Sequence, residues 1–197
     1  MRLEKSMTKK NKLLILVNIW RIFPAYIAYL KTSNRKKISM DIEHWNCVKN
    51  LKGVGFWPFS FYMMFYKEFR TIFLYRIADK KLLYILTKLL FPGERSLYIA
   101  CPDIGGGLFI QHGFSTIIAA KSIGEGCWIN QQVTIGYKGT DAPVIGNNVS
   151  IYAGAIVIGN VNVSDSATIG AGAVVTKDIE AGQTVVGNPA IILRRKD

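Results

Sequence analysis

From Ile104 to Val175 the aliphatic positions recur every six residues. Ile117, Ile123, Ile129 and Ile135 form one run, and Ile145, Ile151, Val157, Val163, Ile169 and Val175 form a second. Ile104 and Ile110 lead in, offset by one extra residue before Ile117. A strand repeats every two residues and a helix every 3.6, so neither alone gives a six. One short strand and one turn per repeat does, and stacking such units builds a solenoid. The hexads read aliphatic–small–x–x–small–x, as in IGEGCW, INQQVT, IGNNVS, IYAGAI and IGAGAV. The first residue points inward onto its equivalents. The fifth is small because a coil corner leaves little room. Cys127 occupies such a place, in the series with Val133, Val149, Ala155, Val161, Ala167 and Ala173, and reads as a buried filler. Three sides of this kind make a coil of about 18 residues, hence about four coils between Ile104 and Val175. Gly105–Gly106–Gly107 then falls at a coil corner and does not form a phosphate cradle.

The first half of the chain has a different pattern. Residues 13–30, LLILVNIWRIFPAYIAYL, are apolar but interrupted by Asn18, Arg21 and Pro24. A spanning helix needs about 20 apolar residues, and an intramembrane Arg costs about 2.5–3.5 kcal/mol. A signal peptide is disfavoured too, because Lys31, Arg35, Lys36 and Lys37 stand where a small-residue cleavage site belongs. Two readings stay open: an interfacial amphipathic helix flanked by lysines, and a helix packed on the domain or on another subunit. Farther on, Phe61, Phe65, Phe69, Phe73 and Ile77 recur at i+4 and predict one helix with one apolar face. Lys67, Glu68, Arg70 and Arg76 should lie off that face. Core packing is the favoured use of the stripe, and a membrane-surface patch is the alternative.

Charge divides the chain at the same place. Of the net +12, residues 1–95 hold 19 Lys and Arg against 6 acidic residues, and residues 96–197 hold 6 against 7. Of 23 aromatic residues, 17 precede residue 96. The expected organisation is a basic, aromatic-rich helical region over 1–95, a repeat domain over 96–193 and a basic tail over 194–197. No recognition motif accompanies the basic charge, so nucleic acid is not an expected partner. Three cysteines (Cys47, Cys101 and Cys127), an odd number without short spacing, fit a reducing cytoplasmic compartment and no zinc pattern. Peripheral contact with the inner face of the membrane stays open.

The hexads, together with the ending IGAGAVVTKDIEAGQTVVGNPAIILRRK, resemble the hexapeptide-repeat acyltransferases. Residues 98–193 are most similar to the serine-acetyltransferase-like branch, which includes O-acetyltransferases of polysaccharide assembly. KEFRTIFLYRI is similar, less specifically, to the helical lead-in of the polysaccharide enzymes. The resemblance implies a mainly β fold, a left-handed parallel β-helix behind a helical N-terminal region. It also implies a homotrimer and acetyl-CoA as co-substrate, with no metal.

It assigns a site as well. Of two histidines, His44 in DIEHWN reads as a surface or cap residue, whereas His112 lies where the clock slips. In the resembling branch that histidine is the general base which takes the acceptor hydroxyl's proton. Imidazole suits the task because it ordinarily titrates near neutral pH. Carried over by motif, Gly136, Ala153 and Ala171 would border the pantetheine, and Lys177, Arg194 and Arg195 would meet the phosphates. The second break in the clock, GYKGTDAPV, offers Tyr137, Lys138 and Asp141 as acceptor contacts. Two residues depart from the serine enzymes: Leu97 stands where an aspartate orients the base, and Ala142 where a second histidine sits. These departures point to a sugar hydroxyl as acceptor, with serine as the alternative. A metal-dependent hydratase on this fold would need three histidines, and a scaffold without enzymatic activity is the remaining reading.

Overall fold

The computed structural model describes residues 7–53 and 55–193, and the chain divides into two compact units, Met1–Glu94 and Arg95–Asp197. The first unit is helical: α1 (Lys9–Val17), α2 (Ile19–Lys31), α3 (Arg35–Lys49), α4 (Phe56–Phe65), α5 (Lys67–Arg76) and α6 (Lys81–Leu90). The apolar run 13–30 is two helices bent by 86° at Asn18, and no single described helix is long and apolar enough to cross a membrane. Arg21, inside that run, holds α2 to α6. It donates to the Leu90 carbonyl at 2.8 Å and lies 4.9 Å from the Phe91 ring.

Two expectations for this unit need correction. The single helix from Phe61 onward is broken at Tyr66, whose extended backbone (φ −127°) separates α4 from α5. Arg70 steadies the break by donating to the last carbonyls of α4, those of Met63 and Met64, each at 2.7 Å. The turn divides the aromatic stripe, so Phe69, Phe73 and Ile77 are core while Phe65 is exposed. Arg76 is not off the packed face. It is buried with Asp41 of α3, Nε to Oδ2 at 3.0 Å and Nη2 to Oδ1 at 3.2 Å. The partners lie 35 residues apart, beyond the reach of a local pattern. His44 sits half-buried in the middle of α3 and is not a cap.

The second unit is a three-sided parallel solenoid. Its strands are β1 (Leu97–Ile99), β2 (Phe109–Gln111), β3 (Thr116–Ile118), β4 (Ser122–Ile123), β5 (Trp128–Asn130), β6 (Thr134–Gly136) and β7 (Val144–Ile145). They continue with β8 (Ser150–Ile151), β9 (Ile156–Ile158), β10 (Asn162–Val163), β11 (Thr168–Ile169), β12 (Val174–Val175), β13 (Thr184–Val186) and β14 (Ile191–Ile192). Face one is β1-β3-β6-β9-β12 and face two is β4-β7-β10. Face three is β2-β5-β8-β11-β13, with β14 turning back antiparallel on β13. The chain passes from face one to two to three, then starts the next coil.

The inward column of face one is Ile99, Ile118, Ile135, Val157 and Val175. Ile118 is fully buried and Ile117 is 43 % exposed, so the predicted inward residue is displaced by one. The interval from Ile110 to Ile118 is therefore eight, and a compensating five leads to Ile123. A slip by one residue turns a strand's side chains over, and two neighbouring isoleucines hide that choice from the sequence. Thr116 then takes the small-residue corner place equivalent to Val133. It is buried, and its hydroxyl donates to the Phe114 carbonyl at 3.1 Å.

Candidate functional site

The three edges of this prism differ. At the edge from face two to face three every interval is six: Ile104 to Ile110, Ile123 to Ile129, Ile145 to Ile151 and Val163 to Ile169. Polar side chains tie adjacent coils there. Asn147 Oδ1 accepts from the Glu125 amide at 2.8 Å, and Asp165 Oδ1 accepts from the Asn147 amide at 2.7 Å. These bonds hold the Asp165 carboxyl below its ordinary range. Glycine is required beneath them, because a Cβ on Gly124 would lie 2.5 Å from Asn147 Oδ1. Gly105–Gly106–Gly107 belongs to this structural edge. Cys127 lies just beyond it, buried, and burial pushes its thiol up to about 11.

The edge from face three to face one carries the fault. Four coils make a tight turn here: Phe114–Ser115, Gln131–Gln132, Ala153–Gly154 and Ala171–Gly172. The turns stack through Gln132 N to Phe114 O at 3.0 Å, Gly154 N to Gln131 O at 3.1 Å and Gly172 N to Ala153 O at 2.9 Å. The first coil alone adds two residues before its turn, and they are His112 and Gly113. His112 adopts the left-handed region (φ 64°), which few non-glycine residues enter and histidine enters more readily than most. Its side chain is exposed, and its one hydrogen bond among the described residues is to the Gln111 amide at 3.4 Å. The aspartate position of the serine enzymes is filled by Leu97. Leu97 is buried at the top of face one, paired with Thr116, and cannot hold the ring by a hydrogen bond.

Ala153 and Ala171 lie on this same edge, below His112. Their N–H groups make no hydrogen bond among the described residues, and a Cβ on Gly172 would meet nothing within 4 Å. Small side chains beside unused amides suit an extended amide-bearing ligand such as pantetheine. Gln131, which the sequence reading missed, occupies the equivalent place one coil after His112. Its Oε1 is buried and accepts no hydrogen bond. A buried acceptor without a donor is costly, and a bound donor would relieve it. The signal was a polar residue at a turn place that holds alanine below.

The remaining candidates lie along the edge from face one to face two. Gly136 ends β6. A Cβ there would meet only Thr134 Cγ2 at 3.7 Å, so packing within the chain does not require glycine. Tyr137, Lys138 and Asp141 follow in the ten-residue interval from Ile135 to Ile145. This loop folds on itself, with Lys138 N to Asp141 O at 2.9 Å and the return bond at 3.3 Å. Tyr137, Lys138 and Asp141 are exposed. Lys177 is also exposed at this edge, and Arg194 and Arg195 lie outside the described residues. One chain thus places His112, Ala153 and Ala171 on one edge and Gly136, Tyr137, Lys138, Asp141 and Lys177 on another. Face one lies between the two groups.

This parallel three-sided solenoid with six-residue sides is a left-handed parallel β-helix, and it matches serine acetyltransferase structures. No family model matches the chain. Proteins it is similar to include serine acetyltransferases. That of Synechococcus elongatus is 40 % identical over 97 residues, covering 47 % of this chain and 40 % of the relative. The chain therefore spans well under two thirds of that relative's length. The Neisseria gonorrhoeae serine acetyltransferase structure superposes with a TM-score of 0.66 at 28 % identity, covering 85 % of this chain and 68 % of that one. A serine acetyltransferase in complex with CoA gives 0.63 at 27 % identity, covering 84 % and 72 %. These relatives lend no support to the polysaccharide branch expected from the sequence.

Proposed function

We propose that this protein is an acetyl-CoA-dependent O-acetyltransferase with His112 as its general base. The observation that carries this is the single fault in the edge between faces three and one. There two added residues put an exposed histidine on the edge that farther down carries Ala153 and Ala171 with unused amides. The acetyl thioester supplies an activated acyl group. The His112 ring takes the proton from the acceptor hydroxyl as its oxygen bonds to the acetyl carbon. The C–S bond then breaks, and the ring returns the proton to the leaving sulfur. Such proton transfer typically contributes about 10²–10⁴-fold. Ala153 and Ala171 offer N–H donors to the pantetheine, Gly136 leaves room for it, and Lys177, Arg194 and Arg195 supply positive charge for phosphates.

Serine is the acceptor that the relatives favour. A sugar hydroxyl is the second reading, favoured by Leu97 and Ala142, which replace the aspartate and histidine of the serine enzymes. CoA release measured with L-serine and with a panel of sugars decides between them. Turnover with serine at rates well above every sugar supports the first reading, and turnover confined to a sugar supports the second.

The two groups of site residues lie on different edges, so we further propose that the site is completed between copies in a homotrimer. Face one supports this. Its outward column is Tyr98, Ile117, Thr134, Ile156 and Val174, whereas that of face three below Trp128 is Ser150, Thr168 and Thr184. An outward column that is apolar at four of its five places, Thr134 being the exception, suits a buried contact between copies. Co-expression of a His112→Ala chain with a chain shortened across 137–141 should restore part of the activity that each lacks alone. Absence of any recovery in mixed assemblies contradicts the shared site.

A further inference from the structure

We infer that the helical unit docks on an anionic lipid surface through the adjoining outer faces of α2 and α6, continued by α1. Exposed apolar side chains recur at helical spacing on each. Leu82, Ile85, Leu86 and Leu89 face outward from α6, with exposures of 79, 55, 39 and 76 %. Trp20 and Phe23 do so on α2, at 66 and 59 %. Leu13, Leu16 and Val17 extend the stripe through α1. The inner sides of α1 and α2 are committed to the core through Ile15, Ile22, Ala25 and Ala28, and α6 turns Thr87 inward, so these outward faces are not frayed core. Large apolar side chains exposed in this number on packed helices mark an interaction site.

Charge selects the occupant. Lys9, Lys10, Lys12, Lys81 and Lys88 are exposed on these helices, and α1, α2 and α6 contain no Asp or Glu. A two-fold contact with a second copy would set lysine against lysine with no acidic partner. An anionic bilayer offers phosphates to the lysines and hydrocarbon to the leucines, which is how interfacial helices bind. The 86° bend at Asn18 and the anchoring of Arg21 to α6 fit helices lying along a surface.

The test uses the full chain with vesicles of phosphatidylcholine alone or with about a third phosphatidylglycerol. The full chain should sediment with the anionic vesicles, and raising the salt should weaken binding several-fold. Ile85→Glu with Leu89→Glu, both at exposed positions, should weaken it by at least about tenfold while leaving thermal unfolding and CoA release in solution unchanged. Failure to bind anionic vesicles, or equal binding by the double variant, overturns the proposal. So does sedimentation velocity without lipid if it shows an assembly that the same two substitutions dissociate, because a second copy then covers the face. Loss of CoA release in the native chain bears on the catalytic reading alone.

Discussion

The edge between faces two and three and the edge between faces three and one are built from the same hexads but serve different ends. The first keeps a six-residue interval in every coil and locks it with Asn147 and Asp165 laid over glycines. The second keeps it in every coil but one, and the exception presents His112. In a solenoid each coil rests on its neighbours, so regularity is what stability needs and departures mark places where something else is being met. The edge between faces one and two departs more often, and its longest departure is the Tyr137–Asp141 loop.

Substitutions can break this comparison in either direction. The largest stability effect lies outside both edges, as a reference for a purely structural residue. Asp41→Ala leaves Arg76 buried without its carboxylate and should cost about 3–5 kcal/mol, read by denaturant unfolding of the helical unit. Next comes Gly124→Ala on the locked edge, which forces a Cβ against Asn147 and the Gly146 backbone. It should cost about 1–3 kcal/mol and leave CoA-dependent turnover per folded molecule unchanged. Gly136→Ala is the mirror case. Its Cβ meets only ordinary contact, so stability should change by less than about 0.5 kcal/mol while the KM for acetyl-CoA rises. If Gly136→Ala unfolds the protein and Gly124→Ala abolishes binding, the roles given to these two glycines are reversed.

The smallest effect concerns pH. Asp165 titrates below its ordinary range in the folded chain because Asn147 donates to it. Its contribution to stability is therefore present above the ordinary carboxylate range and is lost as pH falls through the lowered value. Asp165→Asn should flatten the acid limb of the stability–pH curve slightly, and an unchanged limb would show that the bond contributes nothing.

Much of the β-helix was legible because its period is written in single residues. The inward columns of faces two and three came directly from Ile123, Ile145 and Val163, and from Ile129, Ile151 and Ile169. Face one failed at Ile117, where Ile118 beside it offers the same chemistry and only the extra His112–Gly113 pair sets the phase. The helical unit was less legible. Tyr66 carries no Gly or Pro signal for the break it makes, and Asp41 and Arg76 find each other across three helices. Leu82, Ile85, Leu86 and Leu89 of α6 stand at helical spacing, but spacing alone does not say whether such a stripe faces inward or out. The fault that exposes His112 was legible as a slip in the period. Gln131 was missed because a polar residue at a turn is unremarkable until its acceptor proves buried and unpaired.

If the fault at the edge between faces three and one is the catalytic one, turnover depends on the His112 ring. CoA release from acetyl-CoA by the wild type and by His112→Ala, with the best acceptor and matched circular dichroism, tests it most directly. The expected result is a loss of about 10²–10⁴-fold in kcat with the fold intact. Turnover within about twofold of the wild type would contradict it, since a general base cannot be removed at so small a cost.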